Sequence, residues 1–299
     1  MKALNYLLIL FLLSFYSCSP DENGTDATGV FEATEIIVSA ESSGKILSFS
    51  IQEGDELNQD QILGQIDSTQ LYLNKLQVEA NQLALLSSRP DVQSQLDGIE
   101  REIDKAEFEK KRIEKLLKGD VATQKQLDDV NAQLEILRAN LKAKKRALTI
   151  NTEAIDAQSE AMEAQIDLIN DQLARSTITS PIDGTVLVKY AEEGELTGMG
   201  KPLFKVADLD RMILRAYFTA NQLPKIQIGQ SVKVLAEFGE VENREYEGRI
   251  NWISAKSEFT PKTIQTQDER ANLVYAVKIA VPNDGNLKIG MYGGIKISE

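Results

Sequence analysis

Between Ser68 and Arg175, apolar side chains return at every third or fourth position. Leu127, Leu134, Leu141, Leu148, Ile155, Met162 and Ile169 stand seven apart without interruption. Val130 and Leu137 supply a second seam position early in that series, and Lys144, Asn151, Gln158 and Gln165 hold it further on. On the preceding arm Val92, Leu96, Ile99, Ile103, Ala106, Lys110, Ile113 and Leu117 alternate steps of four and three. This spacing predicts long helices meeting along a coiled-coil seam. The segment has one proline, Pro90, and two glycines, Gly98 and Gly119, amid helix-favouring Leu, Ala, Gln, Glu and Lys. Lys118-Gly119-Asp120 reads as a helix C-cap followed by a new start. The arms on either side are similar in length, which predicts an antiparallel hairpin about 80 Å long whose ends return to one place. Pro90 fits the first turn of a new helical segment, so a break is expected there, with the two pieces collinear.

The flanks follow a different period. Residues 43–54 read SGKILSFSIQEG and residues 183–194 read DGTVLVKYAEEG. A shift of 140 positions places Gly44 on Gly184, Ile46 on Val186, Leu47 on Leu187, Glu53 on Glu193 and Gly54 on Gly194. Two copies of one small β-unit therefore bracket the hairpin, with the four glycines expected at turns. Their association about a pseudo-twofold axis predicts a flattened β-sandwich into which the hairpin is inserted. Beyond Leu209 the runs MILRAYFTA, QSVKVLAEF, YEGRINWIS, LVYAVKIAV and YGGIKIS are β-rich and punctuated by Gly, Pro and Asn. Five or six such strands suit a small antiparallel barrel.

Composition then narrows the chemistry. The 299 residues carry a net charge of −13, no histidine and one cysteine, Cys18. The acidity and the lack of a basic stripe argue against nucleic acid as a partner. Histidine general bases, Ser-His-Asp and Cys-His nucleophile systems and the usual zinc sets are excluded. No phosphate-binding glycine motif opens a helix, so the expectation is a protein without catalytic, cofactor or metal sites.

The first 18 residues join Lys2, the apolar run LNYLLILFLLSF and YSC. The apolar run is too short to span a bilayer, and the pattern is that of a secretory signal. The cysteine at its end resembles a bacterial lipobox, which would make Cys18 a lipid-attachment site; a plain signal peptide is the alternative. Residues 19–34 begin SPDENGTDATG and read as a flexible tether.

Taken together, the half-repeats resemble biotinyl/lipoyl-type domains. The modifiable lysine of those carriers is missing, because GQIDSTQL holds Asp67 and Ser68 at the matching place. A split lipoyl-like domain around a coiled-coil hairpin resembles the HlyD-like periplasmic adaptors, or membrane fusion proteins. RSTITSPIDGTVLVKYAEEGELTGMGKPLFKVADLD at 175–210 is close to that family's most typical stretch, and SEFTPKTIQTQDERANLVYAVKIAVPN at 257–283 is similar to the branch associated with ABC-type exporters. The resemblance implies an elongated α+β multidomain chain: signal peptide 1–18, tether 19–34, lipoyl-like halves 35–67 and 176–208, hairpin 68–175 and β-barrel 209–299. It also implies a periplasmic adaptor anchored by lipid, most naturally to the inner membrane, which forms trimers or hexamers and joins an inner-membrane transporter to a TolC-like outer-membrane channel.

In adaptors of that kind the hairpin tip carries an Arg, a Leu four residues later and a Ser seven beyond. RIEKLLKGDVAT places Arg112 and Leu116 on the pattern, with Thr123 where serine is usual. The same residues also have an ordinary reading: Leu116 in the seam, Arg112 solvated, and Thr123 capping the second arm with Gln126 three later. A structural lipoprotein scaffold and the adaptor of an RND-type pump are the competing functional readings.

Overall fold

The computed structural model describes residues 25–239, 243–258 and 273–297. The signal-like segment and Cys18 lie outside this range, as does much of the 257–283 stretch. In chain order the elements are β1 (Ala27–Ser39), β2 (Gly44–Phe49), β3 (Glu56–Leu57), β4 (Ile62–Ile66), α1 (Thr69–Ser87), α2 (Val92–Lys118), α3 (Gln124–Ala174), β5 (Thr177–Thr179), β6 (Gly184–Lys189), β7 (Leu196–Thr197), β8 (Pro202–Thr219), β9 (Ser231–Glu237), β10 (Asn243–Ile253), β11 (Val274–Pro282) and β12 (Tyr292–Lys296).

The duplicated unit has the expected symmetry, and its hydrogen bonds are reciprocal. Gly54 N–H donates to Val186 O at 2.9 Å while Gly194 N–H donates to Ile46 O at 2.9 Å. Val186 N–H donates to Asp55 O at 2.9 Å, and its counterpart Ile46 N–H donates to Glu195 O at 2.8 Å. The short pairings β2–β7 and β3–β6 are the same contact made twice. Apolar side chains from both copies, among them Ile46, Leu63, Ile66, Val186, Leu203 and Val206, share one core. Each copy alone is too small to bury that face, so the halves must associate, and the hairpin has to leave and return at adjacent points.

Two of the four repeat glycines are at turns: Gly54 and Gly194 have φ of 95° and 90°. Gly44 and Gly184 instead open β2 and β6. Glycine is required there by close packing, since a Cβ would strike the carbonyl oxygen of Asp67 or Ala207.

The N-terminal boundary is also corrected. Residues 27–34, expected within the tether, form the first half of β1. This strand pairs with β12 through Ala27–Val30 and with β8 from Thr28 to Ser39. It supplies the sixth barrel strand, giving the closed order β1-β12-β9-β10-β11-β8 with β8 returning to β1. The stretch continues from a polar run, yet Ala27 and Phe31 are buried in the barrel core with Met212, Leu214, Phe218 and Ile279. Beyond a register shift between Glu32 and Thr34, β1 continues beside β8 into the sandwich, where Ile36 and Val38 pack on the other core. Barrel and sandwich are thus joined through two continuous strands.

The hairpin has the expected break. α1 ends at Ser87, and α2 starts from Asp91, whose side chain accepts the Ser94 N–H. Asp91 is therefore the cap and Pro90 precedes it, outside the helix. Gln82 meets Ser159, Arg89 meets Asp156 at 2.8 Å and Glu107 meets Arg138 at 2.6 Å, in antiparallel order along α3. The seam on α3 changes phase. The seven-residue series is buried or half-buried throughout, and Leu137 is its buried companion at first. From Lys144 onward, however, Lys144, Asn151, Gln158 and Gln165 are exposed, and Thr152, Ser159, Ile166 and Leu173 take the inner positions. A helix of 3.6 residues per turn drifts about 20° per heptad against a strict repeat, which is enough to move the second seam residue from three to four places after the first.

Two predictions follow from these contacts. Phe31→Ala should destabilise the folded chain by about 3–5 kcal/mol in denaturant unfolding, because it empties a fully buried barrel site. A true tether residue would leave unfolding unchanged. The second concerns acid. Asp67 is held below the ordinary carboxylate range by the Thr69 N–H, Asp91 by the Ser94 hydroxyl and Asp171 by Arg175. A depressed folded pKa contributes stability above the unfolded value, and that contribution is lost as pH falls through the folded one. Hairpin helicity followed by circular dichroism should therefore decline below about pH 4, and Asp→Asn at these three positions should flatten the decline.

Candidate functional site

The hairpin tip is a short turn braced by backbone hydrogen bonds. At the end of α2 the N–H groups of Gly119 and Val121 both reach Leu116 O, at 3.2 and 3.0 Å, and Asp120 N–H reaches Leu117 O at 3.1 Å. These bonds satisfy carbonyls that a helix end would leave open. Gly119 has φ of −99°, and it is Asp120, at φ 56°, that takes the left-handed conformation. Aspartate tolerates it better than most residues.

Thr123 then starts α3 with a complete capping box. Gln126 N–H donates to Thr123 Oγ1 at 3.3 Å, and Thr123 N–H donates to Gln126 Oε1 at 2.8 Å. The cap reading of Thr123 is therefore correct, and it fixes the angle at which α3 leaves the tip.

Arg112 and Leu116 lie on the outer face of α2. Ile113 and Leu117 occupy the seam, whereas Leu116 is 38% exposed and is not a seam residue. The Arg112 side chain is 63% exposed and meets Glu109 at 3.1 Å, a surface pair worth little in stability. Phe108, one turn before Arg112, is 71% exposed. Phe108, Arg112 and Leu116 stand four apart, so they form one outward stripe. Val121, at the turn itself, is 74% exposed. The sequence reading missed Phe108, whose signal was an aromatic residue off the seam series, on the same face as Arg112.

The hairpin base offers a concave feature. Arg175 bonds Asp171 at 2.8 Å and Glu41 at 3.1 Å, joining α3 to the turn after β1. Beside it an open groove of about 1140 Å³ is lined by Ile37, Leu71, Leu168 and Met199 along with these charges. Among the described residues no cluster of three or more His, Cys, Asp or Glu side chains is arranged to hold a metal. No helix among them is long and apolar enough to cross a membrane.

A family model described as the RND MFP barrel-sandwich hybrid domain matches residues 34–209, more than half of the chain. The chain belongs to the membrane fusion proteins. Solved structures agree at the level of fold. MacA from Actinobacillus actinomycetemcomitans is 24% identical, with a TM-score of 0.55, over 91% of this chain and 78% of that one. A MacA-MexA chimera carrying the Pseudomonas aeruginosa MexA α-hairpin is 23% identical, with a TM-score of 0.54, over 91% and 80%. The expected fold class is therefore correct for this membrane fusion protein: a split sandwich, an inserted helical hairpin and a barrel.

The stripe and the cap separate in stability. Arg112→Asp should leave thermal unfolding within about 0.5 kcal/mol of the parent, whereas Thr123→Ala should cost about 1 kcal/mol by removing the cap and Thr123→Ser almost nothing.

Proposed function

We propose that this membrane fusion protein is the periplasmic adaptor of a multi-component efflux or secretion system, joining an inner-membrane transporter to a TolC-like outer-membrane channel. The observation that carries the reading is the tip. Its turn is braced by bonds from Gly119, Asp120 and Val121 back to α2, and it presents Arg112 and Leu116 outward beside an exposed Phe108. A helical channel mouth offers grooves that would accept such a stripe, with Arg112 donating to a carboxylate or carbonyl and Leu116 filling a pocket. Thr123 contributes by shaping the turn, and its hydroxyl already accepts the Gln126 N–H.

The transporter is proposed to be of the ABC type on the likeness at 257–283. An RND-type partner is the second reading, favoured by the description of the matching family model, which ends at residue 209. Cys18 is proposed as the lipid anchor. Assembly as a trimer or hexamer is supported by apolar residues left outside the seam: Tyr72, Leu76 and Leu83 on α1 and Ile136 and Ile150 on α3 are all exposed. Side-by-side packing of hairpins in a ring would cover them.

Three measurements test the reading. Arg112→Asp should keep normal abundance and transporter binding but fail to recover the channel in affinity purification, with export lost; normal export at normal abundance removes the tip from the mechanism. Cys18→Ser should move the protein from the membrane to the soluble periplasmic fraction. Native mass spectrometry of the complex with its transporter should show at least three adaptor copies and an ATP-binding subunit. A one-to-one complex would rule out the ring, and a proton-driven pump in place of the ATPase would select the RND reading.

A further inference from the structure

The barrel end farthest from the hairpin gathers four exposed cations. Three segments meet there. Residues 220–230 link β8 to β9, residues 249–257 close β10, and residues 295–297 finish β12. Gly229 N–H to Ile250 O at 2.7 Å and Ile250 N–H to Gln230 O at 2.9 Å join the first two, and Lys296 pairs with Lys233 on β9, the strand that the first segment enters. In a chain of net charge −13 these segments contain Lys225, Arg249, Lys256 and Lys296, and Asp26 and Glu258 are the described carboxylates that adjoin them. All four cations are exposed, and none forms an ion pair with a described residue. Of the two adjoining carboxylates, Glu258 is paired with Arg215 at 2.7 Å, and Asp26 stays at this end, where it accepts the Ile297 N–H at 2.8 Å. By contrast, the sandwich turns at 53–56 and 192–195 carry Glu53, Asp55, Glu56, Glu192, Glu193 and Glu195.

Apolar side chains project from the same end. Ile228 is 67% exposed on a turn held by Gly229 at φ 91° and by Arg249 Nε donating to Gly229 O at 3.0 Å. Trp252 is 41% exposed, with the Lys278 ammonium 5.7 Å from its ring. Neither belongs to the barrel core. Cations around an aliphatic and an indole side chain are the composition of a face that rests in a lipid headgroup layer.

The chain itself leads to this end. β1 enters the barrel here, with Asp26 N–H on Ile295 O at 2.7 Å. Cys18 precedes Asp26 by eight residues, a span of at most about 29 Å when fully extended. We propose that this end of the barrel is a docking face for an anionic lipid surface, in which Lys225, Arg249, Lys256 and Lys296 contact headgroup phosphates and Ile228 and Trp252 enter the interface. The orientation argument rests on the proposed anchor at Cys18; the charge and apolar pattern does not. Seated this way, the acidic sandwich turns stay clear of the anionic surface and the hairpin points away from it.

Trp252 is the only tryptophan in the chain, so its fluorescence reports on this face alone. The mature protein, purified from membranes and reconstituted, is compared in phosphatidylcholine vesicles with and without phosphatidylglycerol, using acyl-chain nitroxide lipids as quenchers. Blue-shifted, quenched emission is expected only with phosphatidylglycerol and should be reversed by about 0.5 M salt. Each cation near an anionic surface contributes about fivefold in partitioning, so Lys225→Glu/Arg249→Glu/Lys256→Glu should abolish the effect. Because Arg249 also braces the turn, Lys225→Glu/Lys256→Glu with an unchanged melting curve serves as the second variant and should weaken it by more than tenfold. Solvent-like emission in anionic vesicles, equal quenching of the variants, or quenching only after the transporter is added would overturn the proposal, the last by assigning the face to a protein partner. Mass spectrometry of the mature N-terminus reads the anchor separately. If Cys18 carries no lipid, soluble protein is sedimented with the same vesicles, and failure to bind the anionic ones overturns the docking face on its own.

Discussion

One antiparallel ladder holds the molecule together. β1 and β8 stay side by side from Thr28–Tyr217 to Ser39–Pro202, with register shifts only between Glu32 and Thr34 and between Val38 and Ser39. The lower half of the ladder closes the barrel, placing Phe31 and Leu214 in its core. The upper half roofs the sandwich, placing Val38 and Phe204 in the other. A linker between two domains permits relative motion by default. Here the connection is made by two hydrogen-bonded strands, so displacement of the barrel is passed to the sandwich through backbone that cannot bend freely without breaking ladder bonds. Arg215 reinforces the lower half by holding Glu258 at 2.7 Å and lying 3.7 Å from Glu32.

The same rigidity continues into the hairpin. α3 runs unbroken for 51 residues, about 75 Å at the usual rise, and Arg175 ties its end to Glu41 just after β1. The opposing arm is interrupted at Ser88–Pro90 and restarted by Asp91. One continuous helix splinted by two shorter ones keeps the tip at a defined distance from the sandwich. Cross-arm polar contacts such as Gln82–Ser159 and Arg138–Glu107 are exposed or half-buried and contribute register more than stability. The seam buries few residues fully, so the hairpin draws little from its own packing, and the apolar residues outside the seam remain available for neighbours.

Much of this could be read from the sequence because the signals were periodic. The 140-residue offset between the β-units corresponds to reciprocal pairings that agree residue for residue, and it extends further than the glycines suggested: Asp60, at φ 61°, is the counterpart of Gly200, at φ 81°. Asp60 went unnoticed because its residue type hides a conformation that glycine advertises. The seven-residue series on α3 and the capping box at Thr123 were legible for the same reason, since both depend on neighbours within one or two turns.

What the sequence could not decide lay between distant segments. The string of residues 27–34 looks like tether because it continues a polar run and has no apolar partner within reach along the chain; only closure against β8 and β12 makes Ala27 and Phe31 core. The second seam position on α3 moved because helical drift is settled by the partner helix, not by the heptad count. Leu116 was ambiguous between seam and surface until Ile113 and Leu117 were seen to fill the seam. The cationic end of the barrel was invisible as well, since its four charges are scattered from Lys225 to Lys296 and only the strand register gathers them onto one face. Local periodicity and capping, set by contacts a few residues apart, were determined by the sequence itself. Strand closure, helix phase and the charge on each end were decided by the tertiary structure, because each depends on which remote backbone comes to lie alongside.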